Sequence, residues 1–115
     1  MFSPLIFELN CLVLGDNRNH IFPVKIPSTE SVGTLKKAIK DEKKNSLQFV
    51  DADSLILWKV SIPVDKDFEY SLKAHHPDFV DEESLTPVGS LSGFFSEPPV
   101  SMQLHIVVKL PIGKC

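Results

Sequence analysis

Residues that could bind a metal ion gather in one stretch of the chain, where His75 and His76 are followed by Asp78 and Asp81. Imidazole nitrogens and carboxylate oxygens are common zinc ligands, and a structural site usually takes four of them. Adjacent histidines in a loop seldom converge on one ion, however, and no other cysteine or histidine lies nearby in the sequence. We interpret this stretch as a surface loop and predict neither a metal site nor a cofactor.

Nucleophilic catalysis would need an activated side chain, and the two cysteines, Cys11 and Cys115, are the first candidates. Neither lies in a recognisable nucleophile motif, and the chain has no glycine-rich loop that could cradle a phosphate. Carboxylates are frequent between residues 64 and 84, but their spacing gathers none of them into a pocket. The sequence therefore predicts no catalytic residue and indicates that the protein is not an enzyme.

Five lysines on a predicted helix could meet acidic lipid headgroups or an acidic partner: Lys36, Lys37, Lys40, Lys43 and Lys44. Because Asp41 and Glu42 interrupt this surface, we favour an ordinary solvated helix face over membrane contact. The net charge of −3 argues against nucleic-acid binding by this domain. No apolar run reaches the roughly 20 residues of a membrane span. Residues 1–10 have no basic region, so we expect no signal peptide within this chain.

Hydrophobic patterns predict the elements that would position these residues. Strands are expected near residues 5–14, 20–26, 54–62 and 102–110. Ser31 is the predicted N-cap of a helix over residues 31–44, whose buried stripe is Val32, Leu35 and Ile39. We further expect a short strand near Phe68–Leu72 and a short helical piece within residues 85–95.

A hairpin followed by one packed helix and a third strand is how a ubiquitin-like β-grasp domain begins. Residues 1–115 are therefore predicted to form a single α+β domain, a mixed sheet of four to five strands crossed by one long helix. The first and last strands are apolar enough to lie centrally, and in a β-grasp fold they pair in parallel in the middle of the sheet. Pro23 cannot donate to a ladder, so the second strand should lie at an edge.

Several motifs, in order, resemble the N-terminal header domain of Crinkler effectors. They are Cys11–Gly15, the strand with Phe22, Val24 and Ile26, the helix pattern Val32, Gly33, Leu35 and Lys36–Lys40, the pair Asp51–Asp53 and Leu55–Val60, then Ile62–Pro63, and the closing Ile106–Val108. The resemblance covers nearly the whole chain. The oomycete signature Leu-Phe-Leu-Ala-Lys would fall on Leu55–Lys59, where Ile56 and Trp58 depart from it as in the fungal branch.

The resemblance implies a ubiquitin-like header that serves secretion and delivery into host cells, while variable C-terminal domains carry the effector activity, often in the host nucleus. The chain lacks the paired terminal glycines that ubiquitin conjugation activates, so the likeness to ubiquitin implies binding alone. Two functions remain open at this point. One is a delivery module that contacts a protein of the host or of the secretion machinery, and the other is a structural or self-associating header that keeps a linked effector soluble.

The expected interaction or trafficking motif consists of Leu55, Ile56, Leu57, Trp58, Lys59 and Val60. If Leu57 points into the core, alternation along a strand turns Trp58 to the opposite face, together with Ile56 and Val60. An exposed tryptophan with two aliphatic neighbours would form an apolar patch typical of an interface. The alternative is that residues 64–95 fold back over this face, in which case the segment is a core strand.

Overall fold

Four strands and three α-helices make up the computed structural model, which describes residues 5–16, 18–45, 47–75, 84–95 and 102–110. In chain order the elements are β1 (Ile6–Val13), β2 (Phe22–Pro27), α1 (Val32–Glu42), β3 (Ile56–Pro63), α2 (Phe68–His75), α3 (Leu91–Phe94) and β4 (Gln103–Lys109). Two short 3₁₀ turns, Arg18–His20 and Ala52–Ser54, precede β2 and β3. The four long strands and the long helix begin and end within two residues of the predicted bounds.

The strands form one mixed sheet in the order β2-β1-β4-β3. β1 and β4 are parallel neighbours in the middle, with Cys11 opposite Ile106, while β2 and β3 pair antiparallel at the two edges. Next to this pairing, the Asn10 N–H donates to Nδ1 of His105 at 2.9 Å, so a buried side chain extends the contact between the central strands. The predicted α+β fold is confirmed, including the parallel central pair and the edge position of Pro23.

Helix α1 packs on one face of the sheet and closes what we call the first core. Ser31 caps the helix, since its Oγ accepts from the Thr34 N–H at 3.2 Å. Val32, Leu35 and Ile39 are fully buried against Phe7, Leu9 and other residues of the strands, as predicted. Burial of this stripe offsets the low helix propensity of Gly33.

The loop that precedes α3 covers the N-terminal end of α1. The Val32 N–H donates to the Gly89 carbonyl at 2.9 Å and the Gly33 N–H to the Pro87 carbonyl at 3.0 Å. Thr34 bonds to the cap, and the Leu35 N–H makes the first intrahelical bond to the Ser31 carbonyl, so the N–H groups of the first four helix residues, 32–35, all have partners. The end of the helix is therefore joined to the fold and offers no open anion site.

Helix α2 covers the other face of the sheet and creates a second core. Residues 68–72 were predicted to form a short strand, and that prediction is wrong. The residues begin a helix because Asp65 starts one: its Oδ1 accepts from the Asp67 N–H and its carbonyl from the Phe68 N–H. Phe68 and Leu72, four residues apart, then share a helix face, with Phe68 fully buried beside Trp58 and five aliphatic residues, namely Leu12, Val60, Ile62, Leu104 and Val107.

Prolines protect the β2 edge of the sheet. The Ser28 N–H bonds to the Leu5 carbonyl, which fixes the alternation of hydrogen-bonded pairs between β1 and β2. By that alternation Pro23, Lys25 and Pro27 turn their backbone groups outward, and within this described strand Lys25 has the one outward N–H. An added strand would meet two missing donors, so this edge resists pairing.

The β3 edge is interrupted in a different way. The Leu57 carbonyl accepts from the Leu85 N–H at 2.8 Å, which fills one outward position of the strand. A β-bulge then shifts the register between Lys59 and Ile62, and Pro63 ends the strand. Bulges and prolines both disfavour strand addition at an edge. A partner is thus more easily accommodated by side-chain surfaces than by either edge.

Candidate functional site

The predicted motif Leu55–Val60 lies mostly inside the protein. Leu55 and Leu57 belong to the first core, whereas Trp58 and Val60 belong to the second. Ile56 is half-buried against the second core, and Lys59 is the one exposed residue of the six. The predicted alternation of Leu57 and Trp58 between opposite faces is therefore correct.

The open apolar patch around Trp58 is absent from the described structure, because α2 covers this face. Trp58 is 2% exposed and shares the second core with Phe68. This agrees with the alternative that residues 64–95 fold back over the strand, since Val64, Phe68 and Leu72 of that segment pack in the second core. Whether the segment also acts as a trafficking motif is a separate matter and stays a prediction.

Lys59 carries the positive charge of this segment at the protein surface. Its Nζ lies 5.0 Å from the centroid of the Phe95 ring, a cation–π geometry. The Phe95 ring in turn meets Phe7 edge to face, with the ring centroids 5.9 Å apart. The Lys59 side chain thus packs against Phe95 at the surface of the first core.

The lysine side of α1 is less uniform than predicted. Lys36 is only 7% exposed, so its stem is packed within the fold, whereas Lys37 and Lys44 are exposed and Lys40 is half-buried. Lys43 lies over the Phe22 ring, with Nζ 5.2 Å from the centroid. The five lysines therefore do not form one continuous basic surface.

The described residues that could perform chemistry are dispersed or inert. Among them, no group of three or more His, Cys, Asp or Glu side chains could hold a metal ion. His76, Asp78 and Asp81 of the predicted surface loop lie outside the described residues. Cys11 is fully buried, and desolvation raises the pKa of its thiol far above the ordinary value, with a further contribution from the charge of Glu42. A thiol that stays protonated is a poor nucleophile.

A groove suited to a ligand lies between α2 and the turn after β1. Its volume is about 690 Å³, within the range of typical ligand sites. Leu14 and Leu72, at the margin of the second core, contribute apolar surface to it. The charged and aromatic lining comes from Asp16, Glu69, Tyr70 and Lys73. Tyr70 is 79% exposed, so a large aromatic ring is free for contact.

Arg18 connects the two walls of this groove. Its backbone N–H donates to Oε2 of Glu69 at 3.3 Å, and its Nη1 donates to the Asp65 carbonyl at 2.6 Å. On the opposite wall, Gly15 has a φ of 103° and open space beside it, so the turn adds no side chain that would fill the groove. The walls are therefore set before a ligand arrives, which lowers the cost of ordering them on binding.

Sequence reasoning missed this groove for two reasons. The sequence pattern assigns Leu14 to a strand and Gly15 and Asp16 to a turn, and it assigns residues 69–73 to a strand and a loop. The signal that could have revealed it is the four-residue spacing of Phe68 and Leu72, which is helical and places Glu69 and Lys73 together on a neighbouring face.

Comparison with known protein families agrees with the fold. The model of the Crinkler effector protein N-terminal domain matches residues 7–109, from the first core residue of β1 to the last residue of β4. The chain belongs to the Crinkler effector family. The match includes α2 and both walls of the groove, so they are part of the Crinkler domain.

A curated relative of this Crinkler domain is Crinkler effector protein 1 of Rhizophagus irregularis (strain DAOM 181602 / DAOM 197198 / MUCL 43194). The two sequences are 33% identical over 103 residues, which make up 90% of this chain and 21% of the relative. The chain thus spans about a fifth of the length of that protein.

Among solved structures, the Crinkler domain is similar to the C-terminal ubiquitin-like domain of mouse tubulin-specific chaperone e. The TM-score is 0.55 at 14% sequence identity, and the alignment covers 100% of this chain and 96% of the other. At that identity the likeness establishes the ubiquitin-like fold alone. In the described part of the chain, no helix is both long and apolar enough to cross a membrane.

Proposed function

We propose that this Crinkler domain is a non-catalytic, protein-binding module that serves the delivery of a secreted effector into host cells. Membership of the effector family supports the cellular role, and the ubiquitin-like fold supports a role in binding. The buried, protonated Cys11 and the dispersed charged residues support the absence of catalysis. The host or secretion partner is a protein rather than a nucleic acid, since the net charge of the chain is −3.

The groove between α2 and the β1–β2 turn is the observation that carries this proposal. Both sheet edges resist strand addition, and the tryptophan face of the sheet is covered. Tyr70 remains as an exposed aromatic beside an apolar floor, and tyrosine is enriched among the residues that dominate binding energy at interfaces. A partner that inserts side chains between Tyr70 and Leu14 would bury both.

The segment Leu55–Val60 has a supporting part in this proposal. Its apolar members hold α1 and α2 on opposite faces of the sheet, and Lys59 is the residue that a partner could reach in the folded protein. We expect Lys59→Ala to lower delivery less than Tyr70→Ala does. The reverse order would assign the contact to the segment.

Delivery is tested with the chain fused ahead of a fluorescent reporter, scored by the reporter signal inside host cells. Tyr70→Ala should lower the signal by roughly tenfold, because truncating a central aromatic contact commonly costs more than 1 kcal/mol of binding. Phe49→Ala is the matched control, since Phe49 is 93% exposed and lies outside the groove. Equal delivery of wild type and Tyr70→Ala would refute the groove as the contact surface.

Light scattering of the isolated chain addresses the self-associating header. A monomer at all concentrations supports contact with a different protein. A dimer that Tyr70→Ala disrupts and Phe49→Ala preserves would instead assign the groove to self-association.

A further inference from the structure

The described lining of the groove combines apolar side chains with one net negative charge, and the Arg18 guanidinium, which is bonded to the Asp65 carbonyl, is not part of that lining. Leu14 and Leu72 form the floor and Tyr70 one side, while Asp16, Glu69 and Lys73 contribute two negative charges and one positive charge. Glu69 and Lys73 are one helical turn apart on α2, so their charges partly offset each other. The carboxylate of Asp16, on the opposite wall, has no such neighbour among the lining residues.

The carboxylates of the groove are available to a ligand. Within the described chain, the Asp16 side chain makes no hydrogen bond or ion pair, and Glu69 uses only Oε2, which accepts from the Arg18 N–H. That bond orients Glu69 and leaves Oε1 free. The Arg18 guanidinium donates to the Asp65 carbonyl, so it is tied to the start of α2.

From these features we infer that the groove recognises a peptide segment with an apolar side chain next to an arginine or lysine. The apolar side chain covers Leu14 and Leu72 beside the Tyr70 ring, and the basic group bonds to Asp16 and the free oxygen of Glu69. Arginine suits this position best because its planar guanidinium can bond to carboxylate oxygens with two N–H groups. This inference rests on the proposed function, for which it specifies the chemistry of the partner.

Alternative occupants fit less well. An acidic peptide would place a carboxylate beside Asp16 and Glu69, and among the described lining residues only Lys73 would attract it. An apolar ligand without charge would leave both carboxylates partly desolvated and without a partner, which is unfavourable. A basic residue beside an apolar one can pair with the carboxylates and cover the apolar side chains at the same time.

The test is titration of the ¹⁵N-labelled full chain with two short synthetic peptides, followed by NMR. Both peptides contain a central Leu-Phe pair, flanked by arginines in one and by glutamates in the other. The arginine peptide should shift the amide signals of Gly15, Asp16, Tyr70 and Lys73, and should bind about tenfold more tightly than the glutamate peptide. Its affinity should fall as salt is raised, because the charges lie at the protein surface.

Four variants separate charge recognition from nonspecific attraction. Asp16→Asn and Glu69→Gln should each weaken the arginine peptide several-fold, and Gln keeps the oxygen that accepts from Arg18. Lys73→Gln should strengthen binding. The matched control Asp41→Asn, an exposed carboxylate on α1, should leave the affinity unchanged although it alters the net charge equally.

The outcomes distinguish this inference from the proposed function. If the glutamate peptide binds the groove as tightly as the arginine peptide, or if Asp41→Asn weakens binding as much as Asp16→Asn, the basic chemistry is wrong and the groove remains a contact surface. If neither peptide shifts the groove signals, the inference fails as well. The delivery assay with Tyr70→Ala then decides the proposed function independently.

Discussion

At the level of single residues, adjacent side chains of β3 belong to different cores. Leu57 packs toward α1, and Trp58, the next residue, packs toward α2 with 2% of its surface exposed. The strand has no solvent face along this stretch apart from Lys59. A substitution here is therefore expected to change the stability of the fold before it changes any binding surface.

Trp58→Ala should lower the free energy of unfolding by roughly 3–5 kcal/mol, because a large side chain is removed from a closed core. Tyr70→Ala is the control, and the exposed ring should matter by less than about 0.5 kcal/mol. Urea unfolding followed by circular dichroism measures both. Matching midpoints for the two variants would contradict the coverage of Trp58 by α2, as would a tryptophan emission that acrylamide quenches readily in the native protein.

Cys11 gives a second prediction at this scale. Its thiol is buried beside Leu9 and Ile106 in the first core and has a raised pKa, so a thiol reagent should not modify it in the native state at pH 8. In a Cys115→Ser background, modification should appear only when urea unfolds the chain. Rapid native modification would show that the first core opens near Cys11.

The raised pKa also predicts how stability depends on pH. The folded state keeps the thiol neutral, whereas the unfolded chain ionises it above about pH 8.5. This contribution to stability is complete below that pH and is lost as the pH rises, by up to about 1.4 kcal/mol per pH unit. In the same background, Cys11→Ala should show a shallower loss of unfolding free energy between pH 8 and pH 10, and equal slopes would contradict the assignment.

At the level of elements, the hydrophobic pattern predicted the four strands and α1 because each extends over six or more residues. Val32, Leu35 and Ile39 repeat as in a helix, and β1 alternates as in a strand. Phe68–Leu72 is too short for its period to be decisive, since apolar and polar residues alternate there while Phe68 and Leu72 also have helical spacing. These residues form a helix because the Asp65 side chain caps its start and because Phe68 and Leu72 pack into the second core. A pattern of five residues includes neither cause.

The proline edge of β2 gives a prediction for a whole strand. Replacing both Pro23 and Pro27 by Thr restores two outward N–H groups, and the edge should then pair with other chains. Light scattering over time should detect faster self-association of this double variant at high concentration. Pro87→Thr is the control, because Pro87 lies in an exposed loop outside the sheet. Unchanged association of the double variant would mean that other features protect the edge.

At the level of the whole molecule, the sheet is the shared wall of two cores, and the cores should not unfold separately. Leu35→Ala in the first core should cost roughly 2–5 kcal/mol, against less than about 0.5 kcal/mol for Lys37→Ala on the exposed side of α1. Tryptophan fluorescence reports on the second core, and circular dichroism on the whole fold. In Leu35→Ala both signals should show the same unfolding midpoint, lower than that of the wild type. Separate transitions for the two signals would contradict a single cooperative unit.

At this level the fold could be predicted from the sequence, whereas the groove could not. The central position of the first and last strands follows from their apolar sequences, and their parallel pairing follows from the resemblance to a β-grasp fold. The groove requires Gly15 and Asp16 to meet Glu69 and Tyr70, which are more than fifty residues away, and it requires α2 to be a helix. Local patterns contain no information about such a meeting, because the second core creates it.

The parallel pairing of β1 with β4 also determines when this protein can fold. Among the four described strands β1 is synthesised first, whereas one of its two neighbours in the sheet, Gln103–Lys109, is synthesised last. Until that strand is present, Cys11 and Leu12 have no partner on one side, and Trp58 and Leu57 lack the strand to which β3 pairs. While the domain emerges from a ribosome, Leu55–Val60 therefore stays open until β4 is present, and the buried residues of this segment are accessible to other proteins only during that interval.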